Sequence, residues 1–142
     1  PVCIVSDNDG GTQLEVNRQV ERLRRDGLDL SPDCFSLNFL NAGNDIEAEL
    51  CNVLNIRDEI NSALVLSETK ASENQRYLEA KKAEIEALSA QEIVSKMRES
   101  KASYAGYLGA ILAENANQKE FEDLLPSSVI IAFEKVRGWL EL

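Results

Sequence analysis

Apolar and polar positions divide the chain into two regimes. Val2-Cys3-Ile4-Val5 is a short β-branched run closed by Ser6-Asp7-Asn8-Asp9-Gly10-Gly11, and it reads as a strand ending in a turn. From Gln13 to Asp26 the period lengthens. Val16, Val20 and Leu23 fall at i, i+4 and i+7, the stripe of an amphipathic helix, and Gly27 reads as its C-terminal cap. Cys34-Phe35-Ser36-Leu37-Asn38-Phe39 alternates and predicts a second strand. Strand, helix and strand in this order favour parallel pairing through a right-handed crossover.

Beyond the loop Asn41-Ala42-Gly43-Asn44 the pattern is helical throughout. Asn44 or Asp45 can cap a helix from Ile46 to Leu54. A helix from Arg57 to Ser67 follows, then a weakly amphipathic one from Ala71 to Leu88 with few large apolar residues, suited to a protruding hairpin or a partner surface. Ala90 to Glu99 turns around Ile93 and Met97, and Lys101 to Glu114 carries Tyr104, Leu108, Ile111 and Leu112 on one stripe. Pro126 suits the first turn of a last helix whose expected buried stripe is Val129, Phe133, Val136 and Leu140. The expected fold class is α/β: a short parallel strand–helix–strand unit over residues 1–55, followed by a predominantly α-helical region over 56–142.

Composition narrows the chemistry. A chain of 142 residues, 44% apolar and 28% charged, is long enough for a real core. No apolar run approaches the ~20 residues of a membrane span, and Cys3, Cys34 and Cys51 stand among apolar neighbours without metal-ligand spacing. They read as reduced core cysteines of a cytoplasmic protein. Histidine is absent, so a Ser-His-Asp triad, a Cys-His pair and a His-ligated zinc site are excluded within this chain. Catalysis here would run on carboxylates, lysine and a hard cation. The net charge of −10 opposes free-standing nucleic-acid binding, which needs clustered Lys and Arg. Arg18, Arg22, Arg24 and Arg25 on the first helix form either a solvated face, with Glu15, Glu21 and Asp26 nearby, or a face for phosphates.

The candidate chemistry lies where the first strand ends. Asp7 and Asp9, two apart on an extended segment, point to the same side at a strand's carboxyl end, where open α/β sheets place ligands. Such a pair suits Mg²⁺, Mn²⁺ or Ca²⁺, or is a solvated turn. Asp45 and Glu47 follow the second strand, and parallel strands bring their ends to one rim. Glu47 could supply a third carboxylate or be a first-turn acid favoured by the helix dipole. Lys101, one turn before Tyr104 and two before Leu108, shares by periodicity the buried side of its helix. There it either snorkels at the core edge or points into a cleft.

These segments, in this order, carry a family resemblance. The strand with Ser6-Asp7-Asn8-Asp9-Gly10-Gly11 resembles the DxD motif of TOPRIM domains, the metal-binding modules of topoisomerases, primases and certain nucleases. Asn44-Asp45-Ile46-Glu47-Ala48-Glu49-Leu50 resembles the Thr-Leu-Glu type segment of the overcoming-lysogenization-defect (OLD) family of ATP-dependent nucleases. Ser100-Lys101-Ala102-Ser103-Tyr104-Ala105 is similar to that family's Lys-Gly-Glu-Phe-Ala element, with Ala-Ser-Tyr in place of Gly-Glu-Phe. Leu125-Pro126-Ser127-Ser128-Val129-Ile130-Ile131-Ala132-Phe133 is similar to its closing helix.

The resemblance implies a partial TOPRIM fold and a DNA endonuclease using two-metal phosphodiester hydrolysis, with a role in phage defence. It implies Asp7, Asp9 and Glu47 as ligands of Mg²⁺ (or Mn²⁺ or Ca²⁺), and Lys101 as the charge stabilising the phosphate in the transition state. Asp45 takes the family's Thr position with its role open. DNA, an N-terminal ATPase domain outside this chain and a homo-oligomeric assembly are the implied partners. Because the chain starts at Pro1, and the family's upstream glutamate lies on a preceding strand, a truncated catalytic region is expected. The residues by themselves leave an acidic helical protein-interaction domain as the alternative.

Overall fold

Parallel pairing of β1 (Val2–Ser6) with β2 (Phe35–Phe39) organises the N-terminal part of the computed structural model, which describes residues 1–52, 54–115 and 120–140. The register sets Val2 against Phe35 and Ser6 against Phe39, so both strands end at the same rim. Between them runs α1 (Gly11–Arg25). Its Val16, Val20 and Leu23 are half-buried as the stripe predicts, while its arginines lie on the solvent side. There Arg18 meets Glu15 at 3.8 Å, Arg22 meets Asp26 at 4.0 Å, and Arg24 pairs with Glu21. Gly27, at φ +86°, closes α1 in a left-handed turn. Its N–H donates to the Arg24 carbonyl, and the Leu28 N–H reaches the Leu23 carbonyl, which together satisfy the last turn.

The remaining elements are helical: α2 (Ile46–Asn52), α3 (Arg57–Thr69), α4 (Gln75–Glu86), α5 (Ala90–Glu99), α6 (Lys101–Asn115), the single turn α7 (Phe121–Leu124) and α8 (Ser127–Leu140). The α/β architecture expected from the pattern is therefore present, with a small parallel sheet and a helical majority. Most element ends shift by one or two residues from the expectation, and two features depart further. Helix α4 starts at Gln75 rather than Ala71, because Lys70 and Ala71 take left-handed backbone angles and Asn74 caps the helix through the Tyr77 N–H. The turn α7 carries no periodicity that a sequence pattern could register.

The chain forms two units. One joins Pro1–Glu49 with Leu125–Leu142, and the other spans Leu50–Leu124. In the first unit α8 packs on both strands, and its buried positions are Ser128 and Ala132 rather than the expected stripe. Phe133 is 58% exposed and Leu140 60%, while Val129 and Val136 are half-buried. The reason is distance of approach. The Cys3 thiol lies 3.8 Å from the Ala132 carbonyl, which leaves room at the contact only for small side chains. The three cysteines are free and half-buried rather than core residues.

In the second unit, Ile56, Ile60, Ala63 and Leu64 meet Ile85, Ile93, Met97, Tyr104 and Leu108 in the core. Ser89 and Glu92 form a reciprocal capping box at the start of α5. Glu68 on α3 joins Lys81 of α4 at 3.2 Å and also pairs with Lys96 of α5, a half-buried link among three helices. Among the described residues, no helix is long and apolar enough to cross a membrane.

Candidate metal centre

The rim of the first unit is built by backbone pairing that continues past the strands. The Asn8 N–H donates to the Asn44 carbonyl at 2.8 Å, and the Gly43 N–H returns to the Asn8 carbonyl at 2.8 Å. The Asn8 side-chain amide also donates to the Leu40 carbonyl at 2.8 Å. Three hydrogen bonds thus tie the Asp7–Asp9 turn to the loop that follows β2. Gly43, at φ +85°, supplies the left-handed turn this return requires.

Asp7 sits within this frame. Its Oδ1 accepts the Ile46 N–H at 3.1 Å, so the tip of β1 is bonded directly to the first turn of α2. Burial pushes the Asp7 pKa above its usual value. The Ile46 hydrogen bond works against that, and the nearby Asp45, Glu47 and Asp9 carboxylates push it further up. Asp9 is exposed, and its Oδ1 accepts the Thr12 N–H at 2.7 Å. That bond holds the Asp9 pKa below the ordinary carboxylate range and satisfies one of the free donors at the start of α1. Asp45 does the same for α2, accepting the Ala48 N–H at 2.9 Å.

Glu47 is only 2% exposed. An acid placed for the helix dipole alone stays in solvent, where its charge costs nothing. Asp7, Asp9, Asp45 and Glu47 are therefore gathered at one rim, close enough to act on Asp7. Among the described residues, however, no group of three or more Asp, Glu, Cys or His side chains is arranged to hold a metal ion as the side chains lie.

Lys101 belongs to the second unit and is exposed, where periodicity placed it on the core-facing side with Tyr104 and Leu108. A helical side chain lies over the turn that precedes it. As the first residue of α6, Lys101 has no such turn beneath it.

The residue that the sequence reading passed over is Glu49. It is 1% exposed, and its carboxylate accepts the Asn41 side-chain amide at 2.7 Å, the Asn44 side-chain amide at 2.7 Å and the Asn41 N–H at 3.3 Å. A buried charge is retained only where such donors surround it. Glu49 therefore fixes the loop whose backbone holds Asn8. An alternation of Asn residues with an acid one helical turn into α2 was the available signal, but acids in first turns are ordinary. Comparison of the chain with protein-family models, curated proteins and solved structures gives no match.

Proposed function

We propose that the rim of the first unit is the metal-binding end of a divalent-cation-dependent phosphodiesterase, the catalytic region of a DNA endonuclease of the OLD type. The observation that carries this reading is the bond from the Ile46 N–H to Asp7, which gathers the carboxylates of two strand ends around a half-buried aspartate with a raised pKa. Like charges held together in this way are a standing cost unless a cation offsets them. The donors fit Mg²⁺, Mn²⁺ or Ca²⁺ in kind, being hard oxygens. Ligation by Asp7, Asp9 and Glu47 requires their side chains to turn toward a common point. Asp9 Oδ1 already accepts the Thr12 N–H, so that bond competes with ligation through this oxygen.

A cation bound there would neutralise phosphate charge and acidify a bound water. This chain's own residues set the frame: Asn8 fixes the turn, Glu49 fixes the loop opposite, and Asp9 and Asp45 orient α1 and α2. Lys101 enters as the transition-state cation through the resemblance alone. DNA, the ATPase domain, a homo-oligomeric assembly and a cytoplasmic setting belong to the same proposal. The second reading, an acidic helical interaction domain without catalysis, is favoured by the capping bonds of Asp9 and Asp45, which already give both acids a structural use.

Paramagnetic Mn²⁺ titration of the chain, followed by amide NMR, separates the two. Metal binding broadens residues 7–9 and 44–48 first, and Asp7→Asn with Glu47→Gln removes that selectivity. Broadening spread evenly over the acidic surface overturns the metal reading. In the full-length protein, Asp9→Ala abolishes Mg²⁺-dependent cleavage, and retained cleavage refutes its role.

A further inference from the structure

Helix α1 carries a charge pattern that the metal rim does not use. Residues 1–49 hold ten Asp and Glu side chains against four side-chain cations, and those four, Arg18, Arg22, Arg24 and Arg25, all stand on this helix. Spacing of i, i+4 and i+7 sets Arg18, Arg22 and Arg25 on one exposed ridge, opposite the half-buried Val16, Val20 and Leu23. Arg24 falls off the ridge and pairs closely with Glu21. The ridge arginines are held far more loosely. Arg18 and Arg22 reach Glu15 and Asp26 only at 3.8 and 4.0 Å, with side chains 76% and 70% exposed. Arg25 donates to the Glu21 carbonyl at 3.4 Å and, among the described residues, pairs with no carboxylate. Exposed pairs of this kind contribute little, so an incoming anion displaces them easily. The helix dipole explains cations in the last turn, but not Arg18 in the middle of α1.

The position of the ridge says which anion. The bond from the Thr12 N–H to Asp9 fixes the start of α1 beside the rim carboxylates. At 1.5 Å per residue, Arg18 stands about 9 Å along the axis from Thr12, and Arg25 about 10 Å further on. One strand of a DNA duplex advances about 3.4 Å per phosphate, so the ridge matches roughly three successive phosphates. Guanidinium groups suit such oxygens, because their planar fork donates to two at once. We propose that Arg18, Arg22 and Arg25 bind the backbone of duplex DNA and lead it to the rim. The proposal rests on the phosphodiesterase reading, which supplies the reason for choosing a nucleic acid over another polyanion. The acidic remainder of the chain repels phosphate and so confines the attraction to this ridge.

Fluorescence anisotropy of a labelled DNA duplex, titrated with the intact 142-residue chain between about 50 and 200 mM salt, tests it. The joint variant Arg18→Gln, Arg22→Gln, Arg25→Gln lowers the magnitude of the salt slope by about 2–3 and the affinity at least roughly tenfold. Glutamine forms helix about as well as arginine, and unchanged amide shifts of Val16, Val20 and Leu23 show that α1 is intact. Should the joint variant lose α1, Arg18→Gln alone lowers the slope by about 0.9. The charge-matched variant Lys70→Gln, Arg76→Gln, Lys82→Gln in the second unit leaves slope and affinity unchanged. Absence of binding by the parent chain at about 50 mM salt overturns the proposal, as do equal losses in the two triple variants. Polyglutamate that competes as well as DNA, charge for charge, also overturns it and assigns the ridge to an acidic protein. Mn²⁺ broadening of residues 7–9 and 44–48, measured in parallel, keeps the two readings apart. Selective broadening together with unchanged DNA binding in the ridge variant removes the ridge alone. Unselective broadening together with lost DNA binding in that variant removes the metal centre and leaves the ridge in place.

Discussion

Replacing Glu49 with alanine should unfold the first unit before the second. The variant loses three hydrogen bonds to a charged acceptor, at 2.7, 2.7 and 3.3 Å. Bonds of that kind contribute about 1.5–3 kcal/mol each, but the two Asn side chains can regain water once the loop opens. The expected net loss is therefore roughly 3–4 kcal/mol rather than the full sum. Urea titration read by two probes isolates it. The single tryptophan, Trp139, lies in the first unit, where its indole N–H donates to the Pro32 carbonyl at 3.3 Å. Far-ultraviolet circular dichroism reports chiefly the helices of the second unit. With a slope of about 1–1.5 kcal/mol per M, the Trp139 midpoint falls by roughly 2–4 M, and the later dichroism transition stays in place. Glu49→Gln is also destabilising, because its amide nitrogen faces either Asn41 or Asn44, both donors. Asn41→Asp in that background restores part of the loss by turning a donor into an acceptor. A Trp139 midpoint that moves by less than about 0.5 M in Glu49→Ala refutes the claim that this carboxylate holds the rim.

Asp7→Asn should stabilise the metal-free chain at neutral pH by a fraction of a kcal/mol, since screening limits what a half-exposed charge can cost. The Asp7 pKa is raised on folding, so its ionisation opposes folding as pH rises from the unfolded value of 3.8 through the folded one. The gain of Asp7→Asn therefore vanishes at more acid pH, and a gain independent of pH contradicts the reasoning. Glu68 behaves oppositely. Burial works to raise its pKa, but the hydrogen bonds and charges of Lys96 and Lys81 outweigh that and leave it lowered. Its stabilisation is present above the unfolded value of 4.5 and is lost as pH falls through the folded value, so Glu68→Gln flattens the acid limb of the second unit's thermal stability. Lys70, at φ +52°, closes α3 in a left-handed conformation that a side chain disfavours. Lys70→Gly should add about 0.5–1 kcal/mol, measured by thermal melting, and a lowered melting temperature counts against the strain.

Local interactions were legible in the sequence because the residues that make them are neighbours along it. The period-two runs marked β1 and β2, the apolar stripes marked α1, α5 and α6, and Gly27 marked a helix end that its left-handed angle confirms. The Asp7–Asp9 turn and the acids after β2 were visible for the same reason, and parallel pairing followed from the order of the elements. Tertiary structure decided the rest. Helix α8 has apolar residues on several sides, so its pattern could not say which would face the strands. Close packing against Cys3 selected Ser128 and Ala132 and left Phe133 outside. Nor could spacing distinguish Glu47, Glu49 and Asp45, three acids in five residues. Burial of Glu49 beneath two asparagines, and the bond from Ile46 to Asp7 across 39 positions, arise only when the loop closes on the turn. Sequence fixes what each residue can donate, accept or bury, and folding alone decides which of those capacities meet.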